Sequence, residues 1–480
     1  AGWRPVFGAA AQASRTGSGR VVTKSDENGT PVVLDDSSER TFLFLQTLAT
    51  PFFRRLAKTL EARGAKVLRI NLNGGDLLMW GGGGINYRGK VADWPRFLAG
   101  IITREQVTDI VCFGDQRAYH QAAFPVADRL GVATHIFEEG YLRPHWISLE
   151  RGGTNASSCI PRERHAIERI GSVEPDLTEL PSRGSFLFRM RWDFAYQTAR
   201  LLLSPAYPNH VYHRLWHPLV ELGGWSRRVV RLAATFGRSK RRIARIWASG
   251  KPYYLYPLQL DSDAALRIHS DFGSNGAAAE TIIASFAAHA PADATLLVKV
   301  HPLDNGLVDR ERQMRAIAER HGVEDRIVVV DGGHLPSLLD RAQGVVLVNS
   351  TLGMSAILHD CPVKVTGRAI YDLPDLTFQG SLDAFWTDGR KPDAELAAAF
   401  YRTVANVTQV RGAFFEHTAI DHAVGGATGR LLAADPRPIM VVGVACGRGA
   451  VGAGRYEVER EVAVKVLRAV ADRRGIRPAV

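Results

Sequence analysis

Two adjacent acidic residues, Glu138 and Glu139, follow the apolar run ATHIF and precede Gly140. Neighbouring carboxylates at the end of a buried strand repel each other, so the pKa of one should move towards a value useful for proton transfer or nucleophilic attack. The structural alternative is that one glutamate pairs with Arg143 while the other faces solvent. The pair is a candidate for acid/base and nucleophilic chemistry.

A second set of chemically capable residues lies in the C-terminal half. His301 ends the run LLVKV and is held in extended backbone by Pro302, so it could donate a hydrogen bond to a phosphate or sugar oxygen or act as a general acid. Ser350 and Thr351 stand between an apolar run and a predicted helix, where hydroxyl and backbone N–H groups favour an anion such as phosphate. Each feature alone is also explained by a structural donor or a helix cap.

The segment Asp261-Ser262-Asp263 is similar to the D-x-D motif that holds a divalent metal and a nucleotide in many sugar transferases. A three-residue match arises often by chance, so we do not expect a metal cofactor. The sequence contains no Walker lysine motif, nucleophile elbow, zinc-ligand spacing, or G-x-G-x-x-G between a strand and a helix.

Strands that alternate with helices of about a dozen residues must position these groups, which is typical of βαβ units and a parallel sheet. Polar or glycine residues follow every predicted strand, at the edge where doubly wound sheets bind ligands. The sequence therefore predicts an α/β protein of two doubly wound, Rossmann-like parallel-sheet domains with a helical linker and an inter-domain cleft. Further strand-end candidates are Gln46, Asp115, Gln259 and Gly332.

The pattern divides the 480 residues into six segments. A poorly ordered lead-in is expected at 1–40 and a tail of uncertain attachment at 431–480. Between them we expect an N-terminal Rossmann-like domain (41–180), a helical basic linker (181–250), a C-terminal Rossmann-like domain (251–385) and C-terminal helices (386–430).

The net charge of +11 implies an anionic partner. Residues 225–251 contain nine Lys or Arg and no acidic residue, interleaved with apolar side chains. Such a basic amphipathic segment can lie on an anionic membrane surface, and the alternative is a solvated basic helix. No RNA-recognition fold accompanies them, so nucleic acid is not an expected partner. The predicted membrane-contact residues are Arg227, Arg228, Arg231, Arg238, Lys240, Arg241, Arg242 and Arg245.

Five motifs, in order, resemble one known family: CFGDQRAYH, FEEGYLRPHWISLE, PLQLDSD, KVHPLD and NSTLGMSAI. They are similar to the bacterial capsule polysaccharide synthesis family, specifically its KpsS-type β-Kdo transferases, over roughly residues 41–385. The resemblance implies a GT-B glycosyltransferase that transfers Kdo, an eight-carbon keto-acid sugar, from CMP-Kdo to phosphatidylglycerol. Transfer would retain the β configuration and initiate the poly-Kdo linker of a capsular polysaccharide.

The resemblance also implies residue roles. Residues 41–180 would form the acceptor and catalytic domain, with Glu139 as nucleophile and Glu138 as acid/base. Related retaining enzymes tend to show Glu-Asp-Gly, so which of the two carboxylates attacks stays open. Residues 251–385 would bind the CMP-sugar. The donor-binding residues would be His301, Pro302, Ser350, Thr351, Gly332 and Gln259, and the sugar or acceptor contacts Gln46, Asp115, Arg117 and Arg143.

The implied partners are a CMP-sugar donor and an anionic lipid acceptor, with other capsule assembly proteins as further candidates. The expected location is the cytoplasmic surface of the inner membrane, as a peripheral protein, with no metal required because CMP leaves with a single phosphate. Two alternatives stay open: a GT-B transferase or epimerase that uses a UDP-sugar, and a non-catalytic protein of capsule export or lipid binding.

Overall fold

The computed structural model describes residues 40–176, 180, 186–212 and 237–433, with short pieces at 23–25, 31–33, 220, 223–224, 226–228, 230–231, 440–441 and 444–445. Two of the short pieces are strands: β1 (Thr23–Ser25) pairs antiparallel with β2 (Pro31–Val33). Most of the predicted lead-in and tail lies outside the described residues.

The first half alternates strands and helices. Its strands are β3 (Thr41–Phe44), β4 (Lys66–Asn71), β5 (Ile85–Asn86), β6 (Asp109–Phe113), β7 (Ala133–Glu139) and β8 (Trp146–Arg151). Its helices are Phe52–Glu61, Gly74–Trp80, Trp94–Glu105, Ala118–Arg129 and Arg164–Ile170. Every residue of β3 is buried, which explains its uninterrupted apolar run, because helices cover both faces of a parallel sheet.

The second half is a five-stranded sheet in which every neighbouring pair is parallel. Its strands are β9 (Tyr253–Pro257), β10 (Thr295–Lys299), β11 (Ile327–Val330), β12 (Gly344–Leu347) and β13 (Val363–Val365), in the order β11-β10-β9-β12-β13. Its helices are Ala264–Ile268, Asn275–His289, Arg310–Arg320, Leu335–Leu339, Leu352–Leu358 and Leu382–Asp388. The strand order reverses beside β9, as in a doubly wound sheet, so the predicted fold class is confirmed.

Two long helices lie between the sheets in sequence, as predicted. Phe186–Leu202 packs against the helix Gly74–Trp80 of the first half, and Arg238–Ser249 packs beside β11 of the second half. The linker therefore contributes one helix to each half.

The chain then returns to the first half. Helix Ala394–Thr408 packs against Arg164–Ile170, β14 (Gln409–Arg411) pairs antiparallel with β8, and helix His417–Ala433 packs against Phe52–Glu61. The first sheet thus has the order β14-β8-β7-β6-β3-β4-β5, parallel from β7 to β5, with an antiparallel edge formed by β8 and β14. The sequence predicts helices alone over 386–430, because β14 has only three residues, too few to show a strand period. A last antiparallel pair joins β15 (Met440–Val441) to β16 (Val444–Ala445).

Aromatic side chains fix the helices on the first sheet. The Phe52 ring lies 5.3 Å from Phe137 of β7 and 4.9 Å from Phe414, which precedes the returning helix. On the other face, Trp94 and Tyr119 stack edge to face at 5.5 Å. Edge-to-face pairs of this kind stabilise a single packing arrangement. The ends of β6 and β7 are therefore held on a rigid scaffold.

Candidate active site

The carboxyl-end loops of the two sheets meet. Gln116, in the loop after β6, lies with its Nε2 3.5 Å from Nε2 of His269, which follows the helix Ala264–Ile268 of the second half. Doubly wound sheets bind ligands outside the carboxyl ends of their strands, so this contact marks the cleft between the halves as the candidate site.

Glu138 is the penultimate residue of β7 and is half-buried. Burial raises the pKa of its carboxyl group from the ordinary 4.5 to about 8, and the negative charge of Asp115 adds to the rise. The guanidinium group of Arg117 opposes this effect without cancelling it. Glu138 therefore carries its proton at neutral pH and can act as an acid.

Glu139 occupies a different environment although it is the next residue. Its side chain is one-third exposed, with Oε2 3.1 Å from Nη1 of Arg143 and Oε1 3.7 Å from Nη1 of Arg189. The structural alternative was that one glutamate pairs with Arg143 while the other faces solvent. The ion pair between Glu139 and Arg143 is present, but Glu138 does not face solvent. The two neighbours thus form a protonated acid and a carboxylate between guanidinium groups, the division of roles that acid/base and nucleophilic sites use.

The turn after Glu139 is fixed by a residue that sequence analysis missed. Gln409 of β14 accepts the backbone N–H of Tyr141 at 2.9 Å through its Oε1 and donates to Ser148 Oγ at 2.9 Å through its Nε2. A Cβ on Gly140 would lie 2.2 Å from the carbonyl oxygen of Trp146, so only glycine fits there. Gln409 and Tyr141 are 268 residues apart in sequence, and no local pattern indicates that they are in contact.

Asp115 and Arg117 flank the carboxyl pair. Asp115 is buried and accepts the backbone N–H of Thr154 at 3.2 Å, which orients its carboxylate. Arg117 donates to the carbonyl of Thr47 at 3.2 Å. Burial lowers the pKa of Arg117, and the nearby Asp76 and Glu138 counteract that effect. Both predicted residues therefore lie where they influence Glu138.

Gln46 joins a buried polar network around Asp76. Asp76 Oδ1 accepts from the hydroxyl of Tyr196 at 3.0 Å and from the N–H of Thr47 at 3.2 Å, and its Oδ2 accepts from Leu72 N–H at 3.0 Å. Burial raises the pKa of Asp76 to about 6 despite these donors. Gln46 donates to the Tyr196 hydroxyl at 3.4 Å. Gln46 thus helps to join the loop after β3 to helix Phe186–Leu202.

Neither Asp76 nor Tyr196 is among the site residues predicted from sequence. The pair Gly74-Gly75 was one available signal, because a Cβ on Gly75 would lie 2.7 Å from the Tyr196 ring. Adjacent glycines at a strand end indicate such a close approach but do not say which element approaches.

In the second half, His301 presents a defined tautomer. Its Nδ1 accepts the backbone N–H of Leu303 at 3.0 Å, which leaves Nε2 as the protonated nitrogen of the neutral ring. Burial lowers the pKa of His301, and the charge of Lys299 adds to this effect, so the ring is a neutral donor at pH 7. Pro302 follows it in an exposed position.

Gln259 supports the site from within. It is buried, its Nε2 donates to Asn349 Oδ1 at 2.9 Å and to Asp263 Oδ2 at 3.2 Å, and its Oε1 accepts the N–H of Asn349 at 3.2 Å. The amide is thus used inside the protein, so the structure assigns Gln259 a positioning role instead of a direct donor contact. The D-x-D aspartates are engaged likewise: Asp261 Oδ2 lies 2.6 Å from Nη2 of Arg310, and Asp263 caps a helix.

The Ser-Thr motif precedes helix Leu352–Leu358. Ser350 Oγ accepts the N–H of Leu352 at 3.3 Å, and the Ser350 carbonyl accepts the hydroxyl of Tyr371. A Cβ on Gly353 would lie 2.3 Å from the Tyr371 ring, which explains the glycine. Among the described residues the Thr351 hydroxyl has no hydrogen-bond partner, and it is half-buried at the edge of the sheet.

The structure corrects the membrane assignment of Arg228, which is only 3% exposed. Its guanidinium donates to the carbonyl of His301 at 3.3 Å and to Asp331 Oδ1 at 2.8 Å, so it joins two loops of the second half and cannot lie on a membrane. Gly332, the next residue after Asp331, has a positive φ of 144°.

The other basic residues divide into two groups. Arg231, Arg238 and Arg242 pair with Asp309 or Glu311, at 3.9, 3.1 and 2.6 Å respectively. Arg227, Lys240, Arg241 and Arg245 are exposed and have no ion pair within the described part of the chain. No helix in that part is both long enough and apolar enough to span a bilayer, and no group of three or more His, Cys, Asp or Glu side chains there is arranged to hold a metal ion.

The family described as "Capsule polysaccharide biosynthesis protein" matches residues 108–415. The capsule polysaccharide modification protein LipB of Neisseria meningitidis serogroup B is 33% identical over 387 residues, 79% of this chain and 92% of LipB. The capsule polysaccharide export protein KpsS of Escherichia coli is 29% identical over 393 residues, 79% of this chain and 97% of KpsS. Among solved structures, the β-Kdo 2,7 transferase of Thermosulfurimonas dismutans KpsC aligns with a TM-score of 0.37 and 14% identity, over 81% of this chain and 99% of that one.

Proposed function

Because this chain belongs to the capsule polysaccharide biosynthesis family, we propose that it is a retaining β-Kdo glycosyltransferase, peripheral on the inner membrane. It transfers Kdo from CMP-Kdo to phosphatidylglycerol and so initiates the poly-Kdo linker of a capsular polysaccharide. One observation carries the enzymatic part of the proposal: Glu138 and Glu139 are neighbours in sequence but differ in environment, one a half-buried acid with a raised pKa and one a carboxylate between arginines.

In the first step, the Glu139 carboxylate attacks the anomeric carbon of Kdo, and the bond from that carbon to the CMP phosphate oxygen breaks. The ion pair with Arg143 is half-exposed and therefore weak, so the guanidinium is available to the carboxylate of Kdo as Glu139 attacks. His301 Nε2–H and the hydroxyls of Ser350 and Thr351 stabilise the charge that develops on the departing phosphate.

Glu138 completes the proton transfers. Its carboxyl group gives its proton to the departing phosphate and becomes a carboxylate. In the second step the acceptor hydroxyl attacks the covalent Kdo–Glu139 ester, its proton passes to Glu138, and Glu139 is released. Each turnover returns both residues to their starting states, and no metal enters either step.

The test mixes the full chain with CMP-Kdo and vesicles that contain phosphatidylglycerol, then weighs the lipid and quantifies CMP. We expect a lipid heavier by one Kdo and an equal amount of CMP. Parallel reactions with UDP-sugars examine the alternative donor, and release of UDP without any reaction of CMP-Kdo would overturn the proposal.

Variants test the residue roles. Glu139→Gln, Glu138→Gln and His301→Ala should each lower the rate by about two orders of magnitude or more, because each removes a group that acts on the reacting atoms. Glu163→Gln and His165→Ala are matched controls on the exposed surface, and they should leave the rate unchanged. Full activity in both Glu139→Gln and His301→Ala would refute the assignment of the site.

A further inference from the structure

Helix Phe186–Leu202 presents an apolar face to solvent. Leu187, Phe194 and Leu202 are 74%, 75% and 72% exposed, and Met190 and Leu201 on the same face are about half-exposed. The spacing of these residues, by three, four, seven and eight positions, places them on one side of a helix. Such a contiguous apolar face on a soluble surface marks an interaction site.

This face cannot turn inwards, because the opposite face of the helix is anchored. Tyr196 lies on that opposite face, where its hydroxyl donates to Asp76 and accepts from Asn73 Nδ2 at 3.0 Å. Gly74 and Gly75 allow the helix to approach so closely that a Cβ on Gly74 would lie 2.4 Å from the carbonyl of Ala199. The rotation of the helix is therefore fixed, with its apolar face outwards.

The charge around the helix identifies its partner. The helix itself carries three arginines, Arg189, Arg191 and Arg200, and one acidic residue, Asp193. Arg191 is exposed on the helix beside the apolar face, with its guanidinium 5.4 Å from the rings of Phe188 and Trp192. Apolar side chains flanked by cations complement an anionic bilayer. The apolar side chains enter the acyl region, and the cations contact the anionic headgroups.

We propose that helix Phe186–Leu202 is the membrane-docking element and lies in the plane of an anionic leaflet, with its apolar face in the acyl region. Arg189, on the opposite face of the same helix, lies 3.7 Å from Glu139, so docking holds the proposed nucleophile about one helix diameter from the bilayer surface. The lipid acceptor can then react without leaving the bilayer. This last point rests on the proposed function; the docking itself does not.

Vesicle flotation of the full chain tests the proposal. The vesicles are phosphatidylcholine alone, phosphatidylcholine with phosphatidylglycerol, and phosphatidylcholine with phosphatidylserine. We expect binding to both anionic mixtures, and a loss of about tenfold or more in the variant Leu187→Ser/Phe194→Ser/Leu202→Ser. The matched control, Val173→Ser/Leu130→Ser/Leu358→Ser, removes exposed apolar side chains elsewhere and should bind like the wild type. Equal binding by the two triple variants would overturn the proposal.

Hydroxyl-radical footprinting of the unaltered chain supplies evidence that depends on no variant. Anionic vesicles should protect Met190 and Phe194 from oxidation but leave Leu358 reactive. Oxidation of Met190 and Phe194 that does not change with vesicles contradicts the proposal. The proposal is also contradicted if a second copy of the chain covers this helix face. Light scattering would then show a dimer that the helix variant abolishes, while vesicle binding persists.

Kdo transfer separates this inference from the proposed function. Vesicle binding without any Kdo transfer would leave the docking helix in place and refute the transferase. Equal Kdo transfer by the wild type and the helix variant to phosphatidylglycerol in vesicles would refute docking and leave the transferase in place.

Discussion

The raised pKa of Glu138 makes the stability of the protein depend on pH, and Glu138→Gln should remove that dependence. In the folded protein the pKa is about 8, against an ordinary value of 4.5. A group whose folded-state pKa is raised favours the folded state fully below its unfolded pKa and loses that contribution as the pH rises through its folded pKa. The window for Glu138 is therefore pH 4.5 to about 8.

The full linkage over this window corresponds to about 5 kcal/mol in the free energy of unfolding, at 1.36 kcal/mol per unit of pKa. Because this linkage is set by the difference between the two pKa values alone, we expect a change on the order of 5 kcal/mol. Relative to the wild type, the Gln variant should gain that amount of stability between pH 5 and pH 8, and the difference should then stay constant.

Urea unfolding followed by tryptophan fluorescence, at pH 5, 6, 7, 8 and 9, measures this difference directly. Other titrating groups such as Asp76 are present in both proteins and cancel. Asp115→Asn removes the nearby negative charge, so it should lower the folded-state pKa of Glu138. The pH range over which stability changes should then end at a lower pH. Glu163→Gln removes an exposed carboxylate and should show no such trend. Parallel stability curves for wild type and Glu138→Gln across the whole range would refute the assignment of a protonated Glu138.

Three further predictions concern the residues that support the site. Tyr196→Phe removes a donor to the buried Asp76 carboxylate and should lower the free energy of unfolding by about 1–3 kcal/mol, measured by urea unfolding; no change would contradict the network. Arg228→Ala should raise KM for the sugar nucleotide with a smaller effect on kcat, because it frees two loops of the second half and touches no reacting atom; a selective loss of kcat would argue against this positioning role. Gly353→Ala places a methyl group against the Tyr371 ring and should cost about 1–3 kcal/mol of stability, and an unchanged melting temperature would show that the ring can move aside.

Apart from the two-residue β5, the strands that run parallel in both sheets could be predicted from sequence, because most of their residues are buried and they show as short apolar runs. The resemblance to the capsule polysaccharide synthesis family is likewise confirmed. The antiparallel edge was missed. β14 has three residues, and the segment of β8, WISLER, was taken as part of a motif instead of a strand. The three residues of β14 are too few for a period to emerge, whereas the six residues of β8 are not.

The site shows the same limit at the level of side chains. The carboxyl pair and His301 follow predicted strands, so adjacency in sequence indicates where they lie. Arg228 is indistinguishable in sequence from the exposed Arg227 beside it, because charge density does not reveal which side of a helix faces inwards. Gln409 could not be found at all, since its partners are set by the path of the chain and not by any local pattern.

The return of the chain to its first sheet has a consequence for synthesis. During translation, residues 41–151 leave the ribosome long before Gln409 exists, so β8 is an unpaired edge and the turn after Glu139 lacks its hydrogen-bond acceptor. Contacts across such a separation form late, so the turn after Glu139 is completed only when the chain is nearly complete. A chain cut at residue 400 would keep every family motif yet leave this turn unfinished. We expect it to be recovered as insoluble protein, and a soluble, active fragment would contradict this order of folding.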